Sequence, residues 1–415
     1  MRENKLKVLI SAYACEPHKG SEPSVGWKWV KQIAKFAEVW VITRANNREV
    51  IEEELKRNSD PNLHFVYVDL PKWVRFWKKG QRGVRTYYHL WQFAVFLKAR
   101  QIAKKIKFDI AHHITFVNDW MPSALSLLHI PFIWGPLGSH PPVPWVFLPN
   151  KRAKILEVGR LTIQNAFRFV NPFFYLTIIR TRYIVTISKS ISFKYPFKLF
   201  PEHKFFYQPA IAVDSFLTEI RKDKDNDNKD NNIIEVITVG RLIYIKGFHL
   251  ALEAFALAYR QHRNIRLTII GDGMEKNNLV NLTKKLKIDD FVEFTGNISR
   301  NDVLDRMVDS DIFLFPSFEG GGMVVLEAMA SGVPVVCLDY GGPGEMVTDK
   351  CGIKVKPVTP EQTVKDLSDA LLKLANDPDL RKKLGSAGKR RAKEYYNWEK
   401  KGEFIQKVYQ SVINC

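Results

Sequence analysis

The most constraining feature of this sequence is an alternation of short β-rich runs with helical stretches that passes along the chain twice, broken once by a segment with no apolar residue. From Lys5 to about Pro201 the β-rich runs fall at 5–12, 37–44, 63–70, 108–115, 131–137 and 183–188. Between them, 25–36 and 87–106 repeat apolar residues at helical spacing. Strands alternating with amphipathic helices predict a parallel sheet wrapped by helices. The segment 221–232 (RKDKDNDNKDNN) has nothing to bury and reads as a solvated linker. After it the alternation restarts with EVITVG, IRLTIIGD, FVEFTG, DIFLFPS and VPVVCLDY. The expected domains are a first Rossmann-like lobe over 1–205, a linker over 206–232, a second Rossmann-like lobe over 233–395, and a closing helix over 396–415 that packs back on the first lobe. Parallel sheets bind ligands beyond the carboxyl ends of their strands, so the expected site is a central cleft that both sheets face.

Composition narrows the partners. A chain of 415 residues with 46% hydrophobic and 26% charged residues belongs to the globular class. Cys15, Cys337, Cys351 and Cys415 are scattered and form no metal-like cluster, which fits a reducing compartment. The apolar run 6–10 is too short for a signal peptide, and Arg168, Asn171, Arg180 and Arg182 interrupt the greasiest stretch. The expected location is therefore cytoplasmic. A net charge of +19 calls for an anionic partner, whether nucleic acid, acidic membrane or phosphorylated substrate.

The richest passage for chemistry is 316–334 (PSFEGGGMVVLEAMASGVP), which runs from a strand end through a glycine loop into a helix. Gly320, Gly321 and Gly322 permit close backbone approach to a ligand, and the N–H groups of Met323 and Val324 open the helix as an anion site. Glu319 precedes the helix and Glu327 follows eight positions later, so both are within reach of one bound sugar nucleotide. A second constellation, 239–247 (VGRLIYIKG), sets Gly240 and Arg241 at a strand end and Lys246 five positions on. A planar guanidinium and a compact ammonium facing one diphosphate stabilise the charge that builds as it leaves.

These passages resemble the family-four retaining glycosyltransferases of the GT-B superfamily (glycosyl transferases group 1), in their paired glutamates before SGVPVV and in GR-x4-K. The resemblance implies the GT-B fold and transfer of a sugar from a nucleotide-diphosphate sugar with retained anomeric configuration. It places Glu319 on the donor sugar hydroxyls, Glu327 on the nucleotide ribose, and Arg241 and Lys246 on the diphosphate. Gly271 and Gly296, at the ends of the next two strands, stand where family members bring backbone amides to the nucleotide. The implied acceptor is a glycan or lipid-linked glycan in cell-surface polysaccharide synthesis. No cofactor is implied, and with Arg241, Lys246 and helix N-termini available no metal is required.

In the first lobe, 12–27 (AYACEPHKGSEPSVGW) reads as a phosphate-approaching loop with Gly20 and Gly26 as the close-contact positions. It resembles the family's GSE loop, although Ser24 stands where glycine is frequent. Retaining members keep a histidine where this chain has Leu137, so the role passes to His140, His112 or His113, with His113 the expected one. Asp309-Ser310-Asp311 reads as structural, because it precedes a strand and does not follow one.

Two further readings concern surfaces. The segment 71–93 interleaves Lys72, Arg75, Lys78, Lys79, Arg82 and Arg85 with Trp73, Phe76, Trp77, Tyr87, Tyr88 and Trp91, a mixture suited to an anionic lipid interface and hence to a peripheral protein on the inner face of the cell membrane. No nucleic-acid motif accompanies the positive charge, so no nucleic-acid partner is expected. The rival to an enzyme is an inactive sugar-nucleotide-binding scaffold at the membrane, which the intact Glu319, Glu327, Arg241 and Lys246 disfavour.

Overall fold

The computed structural model describes residues 5–78, 83–188, 196–214 and 233–414; the polar segment 221–232, Lys79, Arg82 and Cys415 lie outside them. The chain divides into two compact units. One comprises Met1–Ser139, Thr162–Ala210 and Trp398–Cys415, and the other His140–Leu161 and Ile211–Asn397.

The first unit is built on a parallel sheet of β1 (Leu6–Ala12), β2 (Ala37–Arg44), β3 (Leu63–Val68), β4 (Ile110–Thr115), β5 (Phe132–Leu137), β6 (Thr181–Thr186) and β7 (Phe205–Tyr207), in the order β3-β2-β1-β4-β5-β6-β7. Both β4 and β5 are buried along their whole length, as strands of a sheet covered on both faces must be. The strand order reverses between β1 and β4, the kind of switch point beside which open α/β sheets bind ligands. Helices α1 (Ser21–Ala34), α2 (Arg48–Arg57) and α3 (Val84–Ala103) follow β1, β2 and β3, and α5 (Pro172–Arg180) precedes β6. In α5, Pro172 occupies the first turn, where its missing N–H costs nothing, and the Asn171 side chain caps the helix.

The second unit has a parallel sheet in the order β10-β9-β8-β11-β12-β13, formed by β8 (Ile234–Val239), β9 (Ile265–Ile270), β10 (Val292–Gly296), β11 (Ile312–Phe315), β12 (Val335–Leu338) and β13 (Gly352–Val355). Between and after the strands lie α6 (Phe248–Gln261), α7 (Lys276–Leu286), α8 (Arg300–Val308), α9 (Met323–Ala330), α10 (Gly341–Met346), α11 (Pro360–Asn376) and α12 (Pro378–Tyr395). In α6, Leu252, Phe255 and Tyr259 recur at helical spacing and are buried in the core that also holds Leu367 and Leu371 of α11. Each such side chain removed from water contributes about 1.5–3 kcal/mol. The short strand β13 has no counterpart in the sequence reading, because GIKV is brief and carries half-exposed positions.

The boundaries differ from the sequence expectation in several places: the expected linker 206–232 divides at 210/211, Tyr396 and Asn397 belong to the second unit, and the largest difference lies earlier in the chain. Residues 140–161, assigned there to the first lobe, pack with the second unit. Val143, Phe147, Leu148 and Ala153 join the core around Leu242, Phe248 and Phe318, with the Phe147 and Phe318 rings 5.2 Å apart. This apolar run has no strand of its own to cover, so it is buried against the nearest apolar surface, which belongs to a part of the chain distant in sequence. Helix α4 (Lys151–Val170) runs from this segment into residues of the first unit. The closing helix α13 (Trp398–Ile413) belongs to the first unit, where it packs on α1 and buries Ile405, Val408 and Tyr409.

Candidate active site

Two loops at the carboxyl edge of the second sheet are tied together by their backbones. The Phe318 N–H donates to the Ile245 carbonyl at 2.9 Å, and Gly247, at φ 66°, sits so close to the Pro316 carbonyl that a Cβ would lie 2.0 Å from its oxygen. Only glycine allows that approach at that φ. The stitch brings the Lys246 ammonium onto the Glu319 carboxylate, with side-chain exposures of 13% and 9%. The ammonium also lies 4.9 Å from the Phe315 ring centroid. Each charge offsets the other's desolvation, and either left alone would be costly.

Beyond Glu319 the loop Gly320–Gly322 leads into α9, with Gly322 at φ 142° in the capping position and Met323 and Val324 as the first helical residues. Glu327, 8% exposed, lies inside the helix, and its Oε1 is 2.9 Å from Nη2 of Arg300, the first residue of α8. The glutamates are therefore each matched to a cation on another element. Arg241, in the same loop as Lys246, is exposed.

A histidine completes the group. The His140 Nδ1 accepts a hydrogen bond from the Gly320 N–H at 3.3 Å. Desolvation lowers its pKa below the ordinary imidazole value, Glu319 opposes, and Lys246, Arg160 and Arg241 lower it further. At neutral pH the ring is uncharged, and with Nδ1 accepting, Nε2 carries the proton. His113, the histidine favoured by the sequence, stands elsewhere. It is 1% exposed in β4 of the first unit, with Nε2 3.4 Å from both the Tyr88 hydroxyl and the Phe116 carbonyl, and burial lowers its pKa to about 4. His112 is held between the Tyr409 hydroxyl and the Gly135 carbonyl, 2.8 Å from each. Both are core histidines. The signal for His140 was its position in the loop directly after β5, which a strand-end count missed by three residues.

The glycines sort by what surrounds them. At Gly271, φ 132°, a Cβ would lie 2.1 Å from the Gly240 carbonyl oxygen, and its N–H donates to the Gly296 carbonyl at 2.9 Å. These three glycines let neighbouring loops pack backbone to backbone; Gly296 also faces open space. Gly20 occupies the N-cap position of α1, where a Cβ would meet nothing within 4 Å. Gly26 corrects the sequence reading, because it lies inside α1 where a Cβ would meet the Ala14 carbonyl oxygen at 2.0 Å. It seats the helix on the loop after β1. Asp311 precedes β11 and accepts the Glu235 N–H at 3.0 Å, a structural contact. Among the described residues no group of three His, Cys, Asp or Glu side chains is placed to hold a metal ion.

Residues 219–391 match the family model of the glycosyl transferases group 1. The match lies within the second unit. Among its relatives, an uncharacterized glycosyltransferase of Methanocaldococcus jannaschii is 27% identical over 284 residues, covering 64% of this chain and 70% of the relative. A GDP-mannose-dependent monoacylated alpha-(1-6)-phosphatidylinositol monomannoside mannosyltransferase of Corynebacterium glutamicum is 27% identical over 282 residues, covering 65% of this chain and 68% of that one. In fold, the chain resembles the Anabaena HepE protein crystallised in complex with UDP-glucose, with a TM-score of 0.60 at 16% identity over 98% of this chain and all of that one, 100%. The two parallel-sheet units have the GT-B fold.

In this glycosyltransferase the aromatic and basic segment 71–93 divides in two. Tyr87, Tyr88 and Trp91 are buried in the first unit's core, where Trp91 Nε1 donates to the Val68 carbonyl at 2.9 Å, and so take no part in a surface. Trp73 and Phe76 are each 78% exposed. No helix among the described residues is long and apolar enough to cross a membrane.

Proposed function

We propose that this glycosyltransferase moves a sugar from a nucleotide-diphosphate sugar to a glycan or lipid-linked glycan, with retained configuration, in cell-surface polysaccharide synthesis. The observation that carries the donor reading is the Lys246–Glu319 pair beside the Gly320–Gly322 loop at the start of α9. Lys246 and Arg241 meet the diphosphate, whose developing charge they stabilise, together with the N–H groups of Met323 and Val324. Glu319 takes the donor sugar hydroxyls and Glu327 the ribose. His140 replaces His113 in this scheme, its Nε2–H directed to the reacting end of the donor. The acceptor hydroxyl attacks on the face from which the diphosphate leaves, and a leaving phosphate oxygen takes its proton, so no side chain serves as nucleophile. Arg241, Lys246 and the helix N-terminus make a metal unnecessary. The relatives' GDP-mannose and UDP-glucose support a nucleotide-sugar donor of this class.

We further infer a peripheral seat on the inner face of the cell membrane, supported by the exposed Trp73 and Phe76 beside Lys72 and by a net charge of +19. The deciding experiment for the donor is a hydrolysis and transfer screen over nucleotide sugars, comparing wild type with Lys246→Ala. Turnover in wild type that vanishes in the variant supports the reading; equal turnover removes Lys246 from the site.

A further inference from the structure

Helix α3 carries apolar residues on two sides. Tyr88, Trp91, Val95 and Ala99 are buried in the first unit's core, whereas Phe93 and Leu97, one turn apart on the opposite side by helical spacing, are 58% and 66% exposed. The Phe93 ring lies 6.1 Å from that of Phe173 in α5, which is itself 47% exposed. Between α3, α5 and the short turn Ala124–Leu127 is a pocket lined in part by Phe93, Phe96, Pro122, Leu127 and Phe173.

The polar residues of this lining are engaged within the protein. Ser126 Oγ donates to the Ser123 carbonyl at 2.7 Å, Thr177 Oγ1 donates to the Phe173 carbonyl at 2.8 Å, Gln92 Oε1 accepts the Ala124 N–H at 2.8 Å, and the Asn171 side chain caps α5. His89 Nε2 and Ser123 Oγ are buried from solvent. Burial also lowers the His89 pKa, so this wall is uncharged at neutral pH. A sugar would find few partners there, but hydrocarbon would find a matching surface.

The charge around the pocket has one sign. Residues 84–103, 121–130 and 162–182 contain Arg85, Lys98, Arg100, Arg168, Arg180 and Arg182 and no Asp or Glu. Asp119, which precedes the second stretch, is fully buried and pairs with Arg168 at 2.6 Å. Arg180 is exposed, and its Nη1 donates to the carbonyl of Leu127, a lining residue, at 3.2 Å. That bond seats a guanidinium at the edge of the pocket. Exposed apolar side chains around an apolar pocket mark a ligand or membrane contact, and a cation at its edge selects an amphiphile with an anionic head.

We propose that this pocket binds one hydrocarbon chain of an anionic phospholipid whose phosphate meets Arg180. The assignment rests on the membrane seat inferred above and adds to it a contact made by other residues of the first unit. Phe93, Leu97 and Phe173 cover the chain where it enters, and a guanidinium suits phosphate oxygens through its paired donors.

The test is calorimetric titration of the full chain with dihexanoylphosphatidylglycerol, a soluble anionic lipid. Wild type is expected to bind it saturably. Phe93→Ser combined with Leu97→Ser weakens binding by about tenfold or more, the order expected for two apolar side chains that lose their burial. Arg180→Gln weakens it by about tenfold, the usual loss for a hydrogen bond to a charged group, and Arg180→Lys restores part of the affinity. Ala124→Phe, which fills the pocket without changing charge, abolishes it. Thermal melts confirm that each variant is folded. No saturable binding in wild type, or titrations unchanged in the double variant and in Ala124→Phe, would overturn the proposal. So would a wild-type dimer in sedimentation equilibrium that dissociates in the double variant, because it would assign the face to a second copy of the chain. Sedimentation with phosphatidylglycerol vesicles separates this site from the membrane reading. Retention equal to wild type in all these variants overturns the pocket and leaves the seat at Trp73 and Phe76 in place, whereas no sedimentation of wild type overturns the membrane seat and the proposal with it.

Discussion

Lys246 and Glu319, 73 positions apart in the chain, form a largely buried ion pair beside the glycine loop of the second unit. Replacing Glu319 with Gln should lower turnover by about two orders of magnitude, the usual loss for one preorganised polar contact in a transition state. Nucleotide affinity should change little, whereas Lys246→Ala should weaken nucleotide binding and turnover together. Steady-state kinetics beside equilibrium nucleotide titration distinguishes the two patterns.

A nucleoside diphosphate, UDP or GDP, should raise the melting temperature in the absence of divalent metal. A ligand at a hundredfold excess over its Kd stabilises by about 2.7 kcal/mol. Differential scanning fluorimetry with EDTA present is the measurement. Stabilisation that appears only with magnesium or manganese would show that protein cations alone do not hold the diphosphate.

The two histidine environments separate function from packing. His140→Ala should reduce turnover while leaving the melting temperature nearly unchanged, and His113→Ala should chiefly lower the melting temperature, since that ring fills the first unit's core. The folded pKa of His140 lies below the ordinary value, so a turnover titration that belongs to this ring should fall on the acid side of the free imidazole's. A pH–rate profile in which activity requires the protonated ring, and is lost on its deprotonation, would exclude the neutral His140 donor.

Glu22, in the first turn of α1, accepts the Val117 N–H. Burial raises its pKa to about 7 from 4.5, and the Val117 hydrogen bond opposes the shift. The folded state thus holds a proton that the unfolded chain releases between these values. The associated stability is complete below pH 4.5 and declines as pH rises through about 7. Chemical denaturation of Glu22→Gln should lack this component of the slope across that window; identical slopes in both proteins would remove Glu22 as its source.

Trp73 and Phe76 should anchor the protein at anionic lipid. Replacing both with Ser should reduce sedimentation with phosphatidylglycerol vesicles, and adding Lys72→Glu should reduce it further, most clearly at low salt. Retention equal to wild type in the triple variant would place membrane contact elsewhere or nowhere.

The sequence by itself determined the two α/β units and the loops of greatest chemical interest. Strand and helix periodicities, glycine placement and the spacing of Glu319 and Glu327 are local properties, written within a few turns of chain. Tertiary structure alone decided which side chains meet. Arg300 reaches Glu327 across two helices, and His140 bonds to Gly320 from 180 positions away. Gly26 serves helix seating, and Tyr87, Tyr88 and Trp91 are core residues within a segment that read as a surface. Residues 140–161 join the second unit because Phe147 and its neighbours are buried against Phe318. Periodicity tells which face of an element is apolar, but the partner that covers this face is set by long-range packing, and no local pattern encodes it.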